Sequence, residues 1–170
     1  QQRQMCIRDS DMTDFHFTSH HTAPYSSTKG GNYTARSVKN SIDIFKAKGI
    51  PPEKIIIGAA FYSKKWSGIK GGENGLAAAT EAPVAYGPGI TALEEEYINK
   101  NGFRRYWDET ACAPYLYNGD TFITYDDEES IKKKCELILE EDIGGIMVWE
   151  LGGDRKQTLL PLMRKWLGNR

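Results

Sequence analysis

The sequence predicts an α/β fold built on parallel strands and interrupted by a small α+β insertion. Three observations point to it. Two apolar runs, Ile55-Ile56-Ile57-Gly58-Ala59-Ala60-Phe61-Tyr62 and Ile146-Met147-Val148-Trp149, lack the polar alternation of a strand with one wet face. They read as parallel strands covered on both sides. Each run follows a stretch with helical spacing of apolar residues. Between them, Ser67 to Tyr125 has a different character, first Gly/Ala-rich and then rich in aromatics with hairpin chemistry.

The elements follow in order. Residues 1–11 are set apart. Gln1 to Ser10 is polar, without period or turn chemistry, and reads as foreign to the fold, as a cloning scar, frame error or assembly junction would be. Residues 12–66 form the first α/β portion. Met12 to Phe17 is a short strand end or the loop after one, and Thr18 to Asn32 reads as a long loop. From Thr34 to Lys48, Val38, Ile42 and Phe45 recur at helical spacing, Gly49 stops the helix, and Pro51-Pro52 keeps it stopped. The first apolar strand follows.

Residues 67–125 form the insertion. Thr91-Ala92-Leu93-Glu94 has the form of a capping box, opening a helix to about Lys100. Arg104 to Asp108 and Pro114 to Tyr117 are strand candidates, Asn118-Gly119 is a hairpin turn, and Phe122 to Tyr125 is the return strand. Residues 126–170 resume the α/β pattern. Asp126 or Asp127 caps a helix carrying Ile131, Cys135, Ile138 and Leu139 on one face. Gly144-Gly145 and the second apolar strand come next, then a last helix with Leu159, Met163, Trp166 and Leu167. This is about two and a half βα units, either a small open sheet or part of a closed barrel, which needs eight.

With 22 Lys plus Arg against 23 Asp plus Glu in 170 residues, the chain has no electrostatic footprint for nucleic acid or anionic lipid. No apolar run is long enough to span a membrane, and no secretory signal is visible. Cys6, Cys112 and Cys135 show no metal-ligand spacing, and Cys135 falls on a helix's apolar face. His20-His21 suggests a metal pair, but adjacent side chains diverge and no third ligand is near. A polar loop role is expected instead, with no metal and no cofactor.

Trp149-Glu150 at the second strand's C-terminal end carries the chemistry. In α/β barrels that end forms the open cleft. An indole there offers a flat apolar floor with a polar N–H, which suits a sugar ring with its hydrocarbon face and hydroxyl rim. A core role for Trp149 is equally compatible with its residue type.

Ser19-His20-His21-Thr22-Ala23-Pro24-Tyr25, Gly49-Ile50-Pro51-Pro52 before the first apolar strand, Trp107-Asp108 through Ala113-Pro114-Tyr115-Leu116-Tyr117, and Gly145-Ile146-Met147-Val148-Trp149-Glu150 with Gly153-Asp154 together resemble the C-terminal half of glycoside hydrolase family 18, the chitinase family. Ser19-His20-His21-Thr22-Ala23-Pro24-Tyr25 resembles its loop after the sixth strand. Gly49-Ile50-Pro51-Pro52-Glu53-Lys54 leading into Ile55 to Tyr62 resembles its seventh-strand signature. Trp107-Asp108 through Ala113-Pro114-Tyr115-Leu116-Tyr117 is similar to its insertion domain, with Phe122-Ile123-Thr124-Tyr125-Asp126-Asp127 as the exit. Gly145-Ile146-Met147-Val148-Trp149-Glu150 and Gly153-Asp154 resemble the eighth strand and its loop. The five segments stand in the family's order, covering Met12 to Leu167.

The resemblance implies the C-terminal part of a TIM (β/α)8 barrel, about strands six to eight, with an inserted small α+β domain. It implies a parent that hydrolyses β-1,4-linked N-acetylglucosamine polymers such as chitin by substrate-assisted retaining catalysis, an exception to the two-carboxylate scheme. A glutamic acid protonates the glycosidic oxygen, and the sugar's own N-acetyl oxygen attacks the anomeric carbon. Other readings are a chitinase-like lectin, an endo-N-acetylglucosaminidase or a peptidoglycan-directed hydrolase. The implied partners are chitin or N-acetylglucosamine oligosaccharides, and the implied location is extracellular or at the cell surface.

Two departures stand out. The family's acid signature, D-x-x-D-x-D-x-E, is absent, so this chain alone is expected to be an inactive, poorly folding fragment. The family's Met-x-Tyr-Asp on the sixth strand is here Met12-Thr13-Asp14, one residue short and without Tyr. By resemblance Asp14 is a supporting catalytic residue. Trp149 is the floor under the sugar in subsite −1, Tyr62 lines the site, and Lys64, after Ser63 where the family commonly has Gly-Arg, is a substrate-binding residue that keeps the charge but not the bidentate fork. Trp66 and Trp107 are candidate cleft walls.

Overall fold

The computed structural model describes residues 16–29 and 36–168, together with the backbone strand Met5–Ile7. Asp14, and with it the expected sixth-strand remnant at Met12-Thr13-Asp14, lies outside the described residues. A three-stranded parallel sheet has the order β1-β2-β8, formed by β1 (Met5–Ile7), β2 (Ile55–Ala60) and β8 (Gly145–Trp149). The β1 strand falls in the segment that read as having no secondary structure. It pairs in parallel with β2, Cys6 opposite Ile56. The exposed edge of an apolar parallel strand can accept any short stretch able to extend, whatever its polarity.

A five-stranded antiparallel sheet with order β4-β3-β7-β6-β5 lies between β2 and β8 in sequence. Its strands are β3 (Lys64–Trp66), β4 (Ala85–Tyr86), β5 (Arg104–Asp108), β6 (Ala113–Tyr117) and β7 (Phe122–Thr124). The hairpin at Asn118-Gly119 forms as its chemistry predicts: Gly119 takes φ +92°, and the Asn118 side chain accepts from the amides of Asp120 and Thr121. β3 and β4 were not legible as strands. They are three and two residues long, too short for a period to show.

Helix α1 (Val38–Ala47) starts at Ser37, whose hydroxyl accepts from the Asn40 amide at 3.1 Å. It ends before Gly49 at φ +79°, a left-handed position that favours glycine. Helix α2 opens over Ile90–Ala92 and continues with π-type bonding over Leu93–Tyr97. The expected capping box does not form. Gly89 is the N-cap, and the Thr91 hydroxyl accepts from the Arg155 amide instead. Helix α3 (Glu128–Glu141) has a true capping box between Asp127 and Ser130, so Asp127 is the cap and Asp126 is free for another task. Its buried face carries Ile131, Cys135 and Ile138 as expected, but Leu137 completes it, and Leu139 is 42% exposed. Helix α4 spans Leu160–Leu167.

The three larger apolar clusters among the described residues hold these layers together. Val38, Ile42, Ile55, Ile57, Leu137 and Ile138 join α1 and α3 to the outer face of β2. Phe61, Leu93, Leu116, Ile123, Ile131 and Met163 join the two sheets to α3 and α4. Trp66, Ile69, Leu76, Tyr115 and Phe122 fill the other side of the five-stranded sheet. Strand β2 is covered on both faces, as its composition predicts. Strand β8 is not: Ile146, Met147 and Val148 are only half-buried.

β8 is an edge strand among the described residues, and an apolar groove of about 900 Å³ runs beside it, lined by Ile56, Ile146, Val148, Leu160, Met163 and Leu167. Such an edge invites pairing with another chain. Concentration-dependent association of the chain is therefore expected in size-exclusion chromatography over a dilution series. A monomer at every concentration, with strong amide protection in Ile146–Trp149, would show the edge to be stable alone. No helix among the described residues is long and apolar enough to cross a membrane.

Candidate functional site

β2 and β8 run in register to a common end, where Ala60 lies opposite Trp149 and the Phe61 amide donates to the Trp149 carbonyl at 2.8 Å. The chain beyond β2 therefore leaves from directly beside the indole. Trp149 is 48% exposed, which a core tryptophan would not be. Tyr62 follows, partly buried, its ring 5.4 Å from His21 and 5.6 Å from Tyr86. Tyr86, 69% exposed on edge strand β4, lies opposite Lys64, whose Nζ sits 3.6 Å from the centre of its ring. Trp149, Tyr62, Lys64 and Tyr86 thus gather at the C-terminal end of the parallel strands.

The remaining tryptophans are elsewhere. The cross-strand register puts Tyr86, Lys64, Thr124, Tyr115 and Tyr106 in one row on one sheet face. Trp66 shares that face but is 1% exposed, packed 5.8 Å from the Phe122 ring. Offered by the sequence as a cleft wall, Trp66 has no exposed face here and fills the core. Trp107 pairs with Pro114 and so points to the opposite face, with Arg105 and Leu116. There the Arg105 guanidinium lies 5.2 Å from its ring, and Trp107 Nε1 donates to Glu109 at 3.2 Å. The sheet therefore separates Trp107 from Lys64 and Tyr86.

Beneath the site, polar groups are bound together. Lys134, 0% exposed, pairs with Asp126 at 2.7 Å, donates to the Gly58 carbonyl at 3.1 Å and also donates to the Thr22 hydroxyl. Asp126 in turn accepts from the Ala60 amide at 3.0 Å and from Ser130 Oγ at 2.8 Å. One buried ion pair thus ties α3, the His20-His21 loop and the end of β2 together. The sequence offers Asp126 only as a helix cap, and Lys134 carries no motif. A lysine within the apolar stripe Ile131, Cys135, Ile138 was the available signal, because an unpaired charge is rarely placed there.

The two histidines diverge, as adjacent residues in an extended loop must. His20 Nε2 lies 3.1 Å from Asp108, which also accepts from Ser27 and Thr110. Burial pushes the Asp108 carboxyl up, but the hydrogen bonds from His20, Ser27 and Thr110 prevail and hold it well below the usual carboxylate range. His21 Nδ1 lies 3.1 Å from the Thr124 hydroxyl. Burial, then Lys134, Lys64 and His20, lower the His21 imidazole well below its ordinary value of 6.5. No group of three or more metal-ligating side chains occurs among the described residues.

His21 carries a pH prediction. Its folded-state pKa is depressed, so below 6.5 the unfolded chain binds a proton that the folded chain refuses. Stability should be full above that value and fall as pH drops below it. The thermal midpoint should decrease between neutral and mildly acid pH, and decrease less in His21→Gln. An equal decrease in the two proteins would remove His21 from the account.

Residues 9–154 match the family described as Glycosyl hydrolases family 18. The chain is 41% identical over 119 residues to Chitinase A1 of Niallia circulans, covering 65% of this chain and 17% of that protein. It is 29% identical to mouse (Mus musculus) Chitotriosidase-1, with 83% of this chain and 32% of that protein covered. Among solved structures it is similar to a family 18 N-acetylglucosaminidase from Paenibacillus barengoltzii, with TM-score 0.90, 43% identity, and 95% of this chain and 48% of that chain covered. The chain spans about half the length of these relatives or less.

Proposed function

Because the chain belongs to the glycosyl hydrolases of family 18, we propose that it forms the C-terminal wall of a TIM barrel that hydrolyses β-1,4-linked N-acetylglucosamine polymers. The five-stranded sheet is then the barrel's α+β insertion. The single observation that carries the reading is the half-exposed Trp149 indole at the joint C-terminal end of two parallel strands, with Tyr62 beside it. In this scheme Trp149 is the floor under the sugar whose bond is cleaved. Its ring binds the apolar face of the pyranose and leaves the N-acetyl arm free to turn onto the anomeric carbon. That intramolecular attack needs orientation more than a protein nucleophile. Asp14 would support the charged intermediate, and the proton comes from a glutamic acid that these 170 residues do not supply in the family's signature. The likeness to Chitinase ChiW of Paenibacillus, described as a cell-surface-expressed enzyme machinery, favours an extracellular or cell-surface setting. The N-acetylglucosaminidase likeness favours a second reading on the same site, removal of single N-acetylglucosamine units.

The test is Trp149→Ala. Titrated with an N-acetylglucosamine tetramer, the variant should bind about tenfold more weakly or worse. Its stability should fall by less than the ~3–5 kcal/mol of a fully buried tryptophan. Unchanged binding with a large stability loss would assign the ring to packing.

A further inference from the structure

We propose that Tyr86 is a second saccharide platform of the cleft and that Lys64 is its positioning residue rather than a sugar contact; this rests on the reading of Trp149 as a saccharide floor. Four observations carry it. Tyr86 is 69% exposed, the most exposed large apolar side chain among the described residues. Exposure of a single ring is ordinary on a protein surface, so what singles this one out is how it is held.

The ring is also held. Lys64 Nζ sits 3.6 Å from its centre, and the Tyr62 ring lies 5.6 Å away, tilted by 57°. Lys64 is only 9% exposed, and a poorly solvated ammonium is drawn to an aromatic face more strongly than a hydrated one. A lysine spent in this way is not available as a free arm to reach a sugar hydroxyl. The sequence resemblance placed Lys64 among the sugar contacts. Its position under the Tyr86 ring gives it a supporting task instead.

The backbone that carries Tyr86 is fastened to the same end of the sheet as Trp149. The Gly87 amide donates to the Ser63 carbonyl at 2.9 Å, and Ser63 Oγ donates to the Pro88 carbonyl at 2.7 Å. A Cβ on Gly87 would stand 2.3 Å from Ser63 Oγ. A Cβ on Gly89 would stand 3.0 Å from Gly153 Cα, and one on Gly153 would stand 1.9 Å from the Phe61 carbonyl oxygen. The segment after Tyr86 is therefore wedged between the chain leaving β2 and the loop leaving β8, which are the two segments that flank Trp149. Tyr62, on the chain leaving β2, packs its ring 5.6 Å from that of Tyr86.

A platform already held in place loses little freedom when a ligand settles on it, so more of the contact energy appears as affinity. The ligand class follows from the surface: an aromatic face is matched by the axial C–H face of a pyranose, and the phenol rim by its hydroxyls. Two platforms in one cleft fit a chain of sugars rather than a single one. Tyr86 should therefore matter more for longer oligosaccharides.

The experiment is an NMR titration of the chain with the N-acetylglucosamine tetramer and dimer, using the wild type, Tyr86→Ala, Tyr86→Trp, Lys64→Met and Trp149→Ala. Tyr86→Ala should bind the tetramer about tenfold more weakly and change dimer binding less. Tyr86→Trp, which enlarges the platform, should bind the tetramer more tightly than wild type, whereas replacing a tyrosine that touches no sugar would leave binding unchanged. Lys64→Met should fall between wild type and Tyr86→Ala, because the platform remains but is no longer fixed. Tyr86 is exposed, so its substitution should leave the fold intact, and Tyr86→Trp supplies the readout if the alanine variant does not fold. Tetramer binding that depends on Trp149 but not on Tyr86 would overturn this proposal and leave the cleft standing. A wild-type chain that binds neither sugar would overturn both.

Discussion

The chain by itself should turn over no fluorogenic chitobioside. The glutamic acid that protonates the leaving oxygen stands, in this family, in a D-x-x-D-x-D-x-E signature, and no such pattern occurs in the 170 residues. Loss of a general acid costs factors of about 10² to 10⁴, and misplacement of the substrate costs further factors. The chain's own acidic run offers no substitute. Asp127 is occupied as the N-cap of α3 and paired with Arg105, and Asp126 is buried against Lys134. Turnover that disappears on Glu150→Gln or Asp126→Asn would sink the proposal, because it would show that one of these carboxylates does the work.

The second large effect is on stability. Lys134→Met should destabilise the chain by ~3–5 kcal/mol, the usual cost of leaving a buried partner charge unpaired. Asp126 would keep its hydrogen bonds from Ala60 and Ser130 but lose its counter-ion, and Gly58 and Thr22 would lose their donor. The double variant Lys134→Met with Asp126→Asn should recover part of the loss, since no naked charge remains. Denaturant unfolding of the three proteins measures this. A cost below about 1 kcal/mol for Lys134→Met would place the pair in the class of surface bridges despite its burial.

The comparison with the sequence turns on which features are local. The β2 and β8 runs, the hairpin at Asn118-Gly119, the glycine stop after α1 and the capped start of α3 were all legible, because each is written in residues within a turn or two of one another. Trp149 was legible for the same reason: it is the aromatic that ends an apolar strand. The strands β3 and β4 were too short to show a period, and the apparent capping box at Thr91 failed because its hydroxyl bonds the Arg155 amide, a residue far along the chain.

Sequence alone therefore determined the α/β class, the family and the place of Trp149 and Tyr62 at a strand end. Only the tertiary structure decided the fates of the other aromatic and charged residues. Trp66 and Trp107 are alike in sequence, yet strand register turns one into the core and the other onto the opposite face. Lys64, read as a sugar contact, lies under Tyr86, and Lys134, one of three consecutive lysines, is the one taken into the interior. The physical reason is the same in each case. Periodicity and turn chemistry are properties of neighbours along the chain, whereas the partner of a ring or a charge is set by pairing between strands and helices that the chain brings together from far apart.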